Sequence, residues 1–253
     1  MSTAPPEYTA TGGLLENLET PRTDGDHIPD DFKWSDIVAE CAIDIRHRFM
    51  QRVYLILVTQ LVLTIAISAI MIMNPGVQQW AMTHSWVMFV AMFGGLASMI
   101  VTMWKRREYP INLIFLGVFT VCEGYMVGFA SSTADTSVII SALIVLAIIF
   151  TALSAFALQT RYDFTGYAPY LGAALFGLIG FGFVAMFIPS SNVEMAYSVI
   201  AVIIFAGYIL VDTQMIMTQY HPEDEVAAAV SLYLDIINLF LNLLRILSKA
   251  DDQ

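Results

Sequence analysis

Three carboxylates in this 253-residue chain stand where few proteins tolerate a charge: Glu123, Asp212 and Asp235 each interrupt a long apolar run. An ionisable side chain in the middle of a membrane costs at least about 2.5 kcal/mol, so such groups face a bundle interior, a cavity or a partner, and they mark ion and proton paths. Two acids in contact cannot readily both ionise, so they share a proton and titrate as a pair. Losing that proton leaves two like charges, which must separate or take up a cation. Carboxylate oxygens are hard ligands suited to calcium. Asp212 and Asp235, in the last two apolar runs, are therefore read as a pH-sensing pair and candidate metal ligands on a cation pathway, with Glu123 as a further acid on it; the residues alone leave the ion's identity open. The plainer alternative is that each acid is protonated and hydrogen-bonded to a neighbouring helix.

The residues around Asp235 strengthen the first reading. Asp235, Asn238 and Asn242 are spaced i, i+3, i+7 and share one helix face. Leu234, Ile236, Ile237, Leu239, Phe240 and Leu241 cover most of the remaining surface. The spacing predicts a central helix whose polar stripe, with Asn238 and Asn242, lines an internal path. Asn side chains also join membrane helices without conducting anything, which is the alternative for these two.

Composition says what must position these groups. Hydrophobic residues make up 58% of the chain and charged ones 13%, about half the charged share of a soluble domain. Seven runs are long enough to cross the bilayer, which takes about 20 residues: Val53–Met73, Ser85–Trp104, Ile111–Ala130, Thr136–Phe156, Tyr167–Ile188, Met195–Met217 and Val226–Leu247. No Asp, Glu, Lys or Arg occurs from Val53 to Trp104 or from Phe164 to Val193. Turn residues separate the runs, as at Asn74-Pro75-Gly76, Tyr109-Pro110 and Pro189-Ser190-Ser191-Asn192. The fold class expected is an all-α membrane protein, a seven-transmembrane-helix bundle with a central seventh helix.

The net charge of −11 is concentrated in the polar segments. Ten of the 22 acidic residues lie between Glu7 and Asp44. Residues 1–45 read as a disordered acidic tail, and 46–253 as the transmembrane domain. The tail carries Pro5-Pro6-Glu7-Tyr8, a PPxY pattern of the kind WW domains bind, with Pro5, Pro6 and Tyr8 as the contact residues. From Ile37 to Arg52 apolar residues fall four apart, which predicts a short helix on the membrane surface leading into the first span. No cleavable leader is expected, since the first apolar run begins behind the polar tail. Arg46, Arg48, Arg52, Lys105, Arg106, Arg107 and Arg161 flank one side of the spans, which predicts a cytosolic amino terminus. Seven crossings then leave Arg245 and Lys249 on the side that disfavours them, a conflict that a re-entrant seventh segment would remove. Cys41 and Cys122 form no disulfide framework, and the charge pattern offers no nucleic-acid footprint.

The stretch from Ser231 to Leu247, Ser-Leu-Tyr-Leu-Asp-Ile-Ile-Asn-Leu-Phe-Leu-Asn-Leu-Leu-Arg-Ile-Leu, resembles the signature of the Bax inhibitor-1 (TMBIM) family. Gly207-Tyr-Ile-Leu-Val-Asp212-Thr-Gln resembles its sixth-helix motif. Tyr109-Pro-Ile-Asn112, Phe119-Thr120 with Glu123, and Gln159-Thr-Arg-Tyr-Asp163-Phe are similar to the lifeguard branch, which includes the Golgi anti-apoptotic protein. Asp31-Phe32, Ile45-Arg46 and Arg52-Val-Tyr54 extend the similarity upstream, so that it runs from about Asp30 to the end. The resemblance implies a seven-helix fold with the last helix wrapped by the others. It implies a pH-sensitive calcium leak in the endoplasmic reticulum, Golgi or vacuole, and restraint of cell death through cell-death regulators. It makes Asp212 and Asp235 the sensor pair, and it implies a basic latch to that pair among Lys105, Arg106 and Arg107. No resident cofactor is implied, only calcium ions and protons as the species moved. Near Gly94–Gly95 the chain lacks the second-helix glutamate of some bacterial relatives.

Two other readings compete. Paired aspartates also cut peptides within bilayers, but no Gly-x-Gly-Asp motif is present and Asp163 falls in a loop. His27, His47, His84 and His221 are too scattered for a hydrolytic zinc site. The chain is therefore not expected to be an enzyme. A scaffold acting through the PPxY tail and partner proteins is the remaining alternative.

Overall fold

The computed structural model describes residues 37–40, 43–188 and 190–251. The PPxY residues Pro5, Pro6 and Tyr8, with most of the acidic tail and Cys41, lie outside the described residues. Among the described residues the regular structure is helical, with no strand. Seven helices are long and apolar enough to cross a membrane: α1 (Ile43–Met73), α2 (Trp86–Trp104), α3 (Ile111–Ser131), α4 (Thr136–Gln159), α5 (Ala168–Ala185), α6 (Ser191–Thr218) and α7 (Glu225–Asp251).

The apolar runs located all seven, and the differences lie at their ends. The surface helix expected over Ile37–Arg52 is not a separate element. A 3-10 turn at Val38–Glu40 precedes α1, which runs unbroken from Ile43. The amphipathic spacing belongs to the first turns of α1, where Phe49 and Val53 are buried while His47 and Arg48 face outward. The Asn74-Pro75-Gly76 break opens a short further helix, Pro75–Thr83, because proline's fixed φ suits a first helical turn.

The seventh segment does not re-enter: α7 is one continuous helix of 27 residues. Its basic end is neutralised locally instead. Lys249 pairs with Glu194 at the start of α6 and donates to the Ser191 carbonyl at 3.0 Å. The Arg245 guanidinium lies over the Tyr197 ring, 5.9 Å from its centre. Both charges are thus met by partners at this end of the bundle.

Helix α7 packs against α1, α3, α4 and α6. Within its apolar window 78% of residues are buried, against 44% for α6, the next most enclosed helix. Lipid tails are as apolar as leucine, so apolar side chains alone do not sort helices into the middle of a membrane bundle. The polar residues of α7 do, since each is costly against hydrocarbon. At the other extreme α5 packs against α6 and turns Phe176, Ile179 and Phe183 outward.

A polar seam joins α7 to α1 and α3. Tyr233, wholly buried, shares a 2.8 Å hydrogen bond with the Thr64 hydroxyl and meets Phe119 edge to face at 5.8 Å. Gln60 donates to Thr120 at 3.1 Å, and Ser68 to the Gly124 carbonyl at 3.3 Å. Gln60, Thr64 and Ser68 recur every fourth residue along α1. The α1 and α3 backbones can approach so closely because Gly124 and Gly128 have no side chain. A Cβ on Gly128 would stand 3.0 Å from the Ser68 Cα, and one on Gly124 3.3 Å from the Thr64 Cα, the small-xxx-small geometry of membrane helix pairs.

Gly128→Leu is expected to wedge α1 from α3 and lower stability by about 1–3 kcal/mol. Gly177→Leu on α5, where a Cβ meets nothing within 4 Å, is expected to stay within about 0.5 kcal/mol of the parent. Thermal unfolding of both purified variants in one detergent checks the pair, and equal midpoints would refute the close α1–α3 contact.

Candidate functional site

The loop between α6 and α7 spans residues 219–224, so the two helices run antiparallel side by side and bring their aspartates together. Asp235 is buried, 5% exposed, and lies within Coulombic reach of Asp212. Its Oδ2 atom has no hydrogen-bond partner. Asp212 is half-buried and sits beside the Ser231 hydroxyl, which in turn shares a 3.1 Å hydrogen bond with the Tyr220 hydroxyl. Tyr208 and Tyr220 stand close enough to feel the charge of both aspartates.

The two acids sit at different heights along their helices. Asp212 lies six residues from the end of α6, ~9 Å at 1.5 Å per residue, and Asp235 ten residues from the start of α7, ~15 Å. Both belong to the half of the bundle nearer the basic loops. Glu123 does stand near the middle of α3, half-buried, close enough to the Tyr233 hydroxyl to act on it electrostatically. Glu123 thus adjoins the Tyr233–Thr64 seam on one side of α7.

Asn238 and Asn242 hold the expected face of α7, but their amide groups turn inward on the helix. Asn238 donates to the Leu234 carbonyl and Asn242 to the Asn238 carbonyl, both at 2.8 Å. The buried Asn242 Oδ1 finds no partner. Along this face, then, α7 offers two oxygens without partners, Asp235 Oδ2 and Asn242 Oδ1, roughly 10 Å apart for seven residues.

The latch residues meet a different acid. Arg107 grips Asp224 with two donors, Nε to Oδ1 at 2.8 Å and Nη2 to Oδ2 at 3.1 Å. Arg106 Nε lies 3.0 Å from the same Oδ1, while Lys105 pairs with Glu108 at 2.7 Å. The hydrogen bond and the charge of Asp224 hold the Arg107 guanidinium even more firmly protonated than usual. The reason is height. Asp224 is in the loop at the level where α2 ends, whereas Asp212 is about two turns deeper. A 3.4 Å pair between Arg52 and Glu225 lies beside it, and the Val38 amide donates to the Tyr220 carbonyl at 2.9 Å. Chain from α1, α2 and the preceding turn therefore closes over the loop above the aspartates.

Sequence reasoning missed Asp224 and Gln214. Gln214, two residues beyond Asp212, accepts from the Phe164 amide at 2.6 Å and donates to the Tyr162 carbonyl at 2.8 Å. It clamps the Gln159–Phe164 loop onto α6, so two separate motifs of the chain prove to be one contact. In that loop Asp163 accepts from the Thr165 amide and hydroxyl at 2.8 and 2.7 Å. These bonds hold its carboxyl below the usual range and brace the turn. The run of three acids in His221-Pro222-Glu223-Asp224-Glu225 was the signal for Asp224.

As a calcium site the pair is sparse. Calcium takes about six to eight oxygen ligands, and among the described residues no group of three or more His, Cys, Asp and Glu side chains comes together.

Seven helices long and apolar enough to cross a membrane, with Asp235 buried on the last and Asp212 half-buried beside it, make this a polytopic membrane protein. Residues 46–252 match the sequence profile described as inhibitor of apoptosis-promoting Bax1, and the chain belongs to this Bax inhibitor family. It is 35% identical to Bax inhibitor 1 of Schizosaccharomyces pombe over 224 residues, 88% of this chain and 84% of the relative. It is 34% identical to Protein lifeguard 4 of Mus musculus, covering 88% and 94%. Identity to the Golgi anti-apoptotic protein of vaccinia virus is 32% over the same shares.

Replacing Asp224 by Asn removes the charge that Arg106 and Arg107 share. The loss expected is about 1.5–3 kcal/mol, the range for hydrogen bonds to charged groups, read as a lower unfolding midpoint. Arg107→Gln on top of it should cost much less than Arg107→Gln alone, since both remove one interaction. Additive losses would show that the two residues act independently.

Proposed function

We propose that this protein is a pH-sensitive cation leak of an endomembrane, with calcium as the ion, in which Asp212 and Asp235 share a proton that gates passage. The observation that carries the reading is Asp235, a buried carboxylate within Coulombic reach of Asp212 and with one oxygen unpartnered. A group placed so is costly unless it is neutralised by a proton or a cation. Asn242 Oδ1 supplies a second unpartnered oxygen further along α7, and Glu123 a third acid beside Tyr233. The Arg106/Arg107–Asp224 contact closes the nearer end, so passage requires that cap to loosen.

The biological role follows from the family. Relatives are named Bax inhibitor 1 and Golgi anti-apoptotic protein, and we extend restraint of cell death and an endomembrane address to this chain. The basic residues at the loops that cap the aspartates favour a cytosolic amino terminus, which puts the aspartate pair nearer the cytosol.

The test is calcium efflux from proteoliposomes holding the full chain, measured against pH. The parent should respond to pH as the pair gains and loses its shared proton. Asp235→Asn and Asp212→Asn are each expected to alter efflux and to flatten that response. Two variants with profiles indistinguishable from the parent would exclude the pair as sensor.

A further inference from the structure

Helices α1 and α4 stand side by side without packing closely on each other, and the gap between them is a cleft of about 450 Å³. Its floor is the α7 backbone face at Ile236, Ile237 and Phe240. Three of its lining residues, Thr64, Ser68 and Ser131, carry a polar side chain, and none is charged. Thr64 and Ser68 have hydrogen bonds within the seam. Such a cavity stays dry and takes apolar guests, and its size falls within the roughly 300–1,000 Å³ of small-molecule sites.

We propose that this cleft is a binding slot for one acyl chain of a bilayer phospholipid. Three observations select that occupant. The first is continuity with the lipid boundary, since the cleft's outer wall passes directly into the exposed Ile65, Ile140 and Ile144 of the lipid-facing surface. The second is depth. The α1 wall runs from Leu61 to Ile72, eleven residues or ~16 Å, which is about half of the roughly 30 Å hydrocarbon layer and so one leaflet. The cleft starts at the loop end of α3, at Ser131, and stops at the middle of α7. The third is the lining. Every wall is apolar apart from Thr64, Ser68 and Ser131, which is what a hydrocarbon chain requires and leaves nothing to pair with the polar groups of a peptide. Ser131 at the mouth is buried and its hydroxyl has no partner in the protein, a donor at the depth where the ester carbonyl of a phospholipid lies. The bound chain would press on Ile236 and Ile237, the two residues that follow Asp235.

The test uses the full chain in phosphatidylcholine vesicles containing a small share of phosphatidylcholine with a diazirine near the end of one acyl chain. After illumination the labelled peptides are mapped by mass spectrometry. Labels are expected on α7 around Ile236–Phe240, residues that bulk lipid does not reach, as well as on the outward face of α5. Ala147→Phe, which fills the slot from α4, should reduce the α7 labels on the order of 10-fold and leave those on α5 unchanged. Ala69→Phe, from the opposite wall, should do the same, and the unchanged α5 labels report that the fold is intact. An unlabelled α7 beside a labelled α5 would overturn the proposal. So would α7 labels that survive both substitutions.

Discussion

Hydrocarbon solvates no oxygen, and the architecture of this protein is arranged around that constraint. One helix, α7, carries Ser231, Tyr233, Asp235, Asn238 and Asn242, side chains that are costly to leave against lipid. Placing α7 among α1, α3, α4 and α6 buries Tyr233, Asp235 and Asn242 and leaves Ser231 and Asn238 half-buried. The surrounding helices are then free to be apolar outside, and their inner faces carry the partners that α7 requires, such as Thr64 for Tyr233.

Along α7 the polar groups form a column with different chemistry at each level. At one end Asp224 and Glu225 meet arginines in ion pairs at the membrane boundary, where solvent lowers the cost of charge. One to three turns deeper, Asp212 and Asp235 face each other with hydroxyls rather than cations for company. Beyond them Asn238 and Asn242 are neutral and satisfied in part by their own backbone. At the far end Arg245 and Lys249 return to cation chemistry beside Tyr197 and Glu194. The ion pairs are at the ends, and the buried acid with an unpartnered oxygen is inside.

The apolar cleft touches α7 at Ile236, Ile237 and Phe240, just past Asp235.

The sequence by itself determined the number of spanning helices, their order, the central role of the seventh and the two aspartates worth watching. These are readable because bilayer thickness sets helix length and because charge in hydrocarbon is rare enough to be informative wherever it occurs. Tertiary structure alone decided who meets whom. The arginines after α2 took Asp224 instead of the deeper pair, Gln214 joined two motifs fifty residues apart in sequence, and Gly124 and Gly128 became the contact that seats α1 on α3. Local patterns state which groups must be hidden. Only the relative heights and rotations of packed helices, set by side chains far apart along the chain, state which partner hides them.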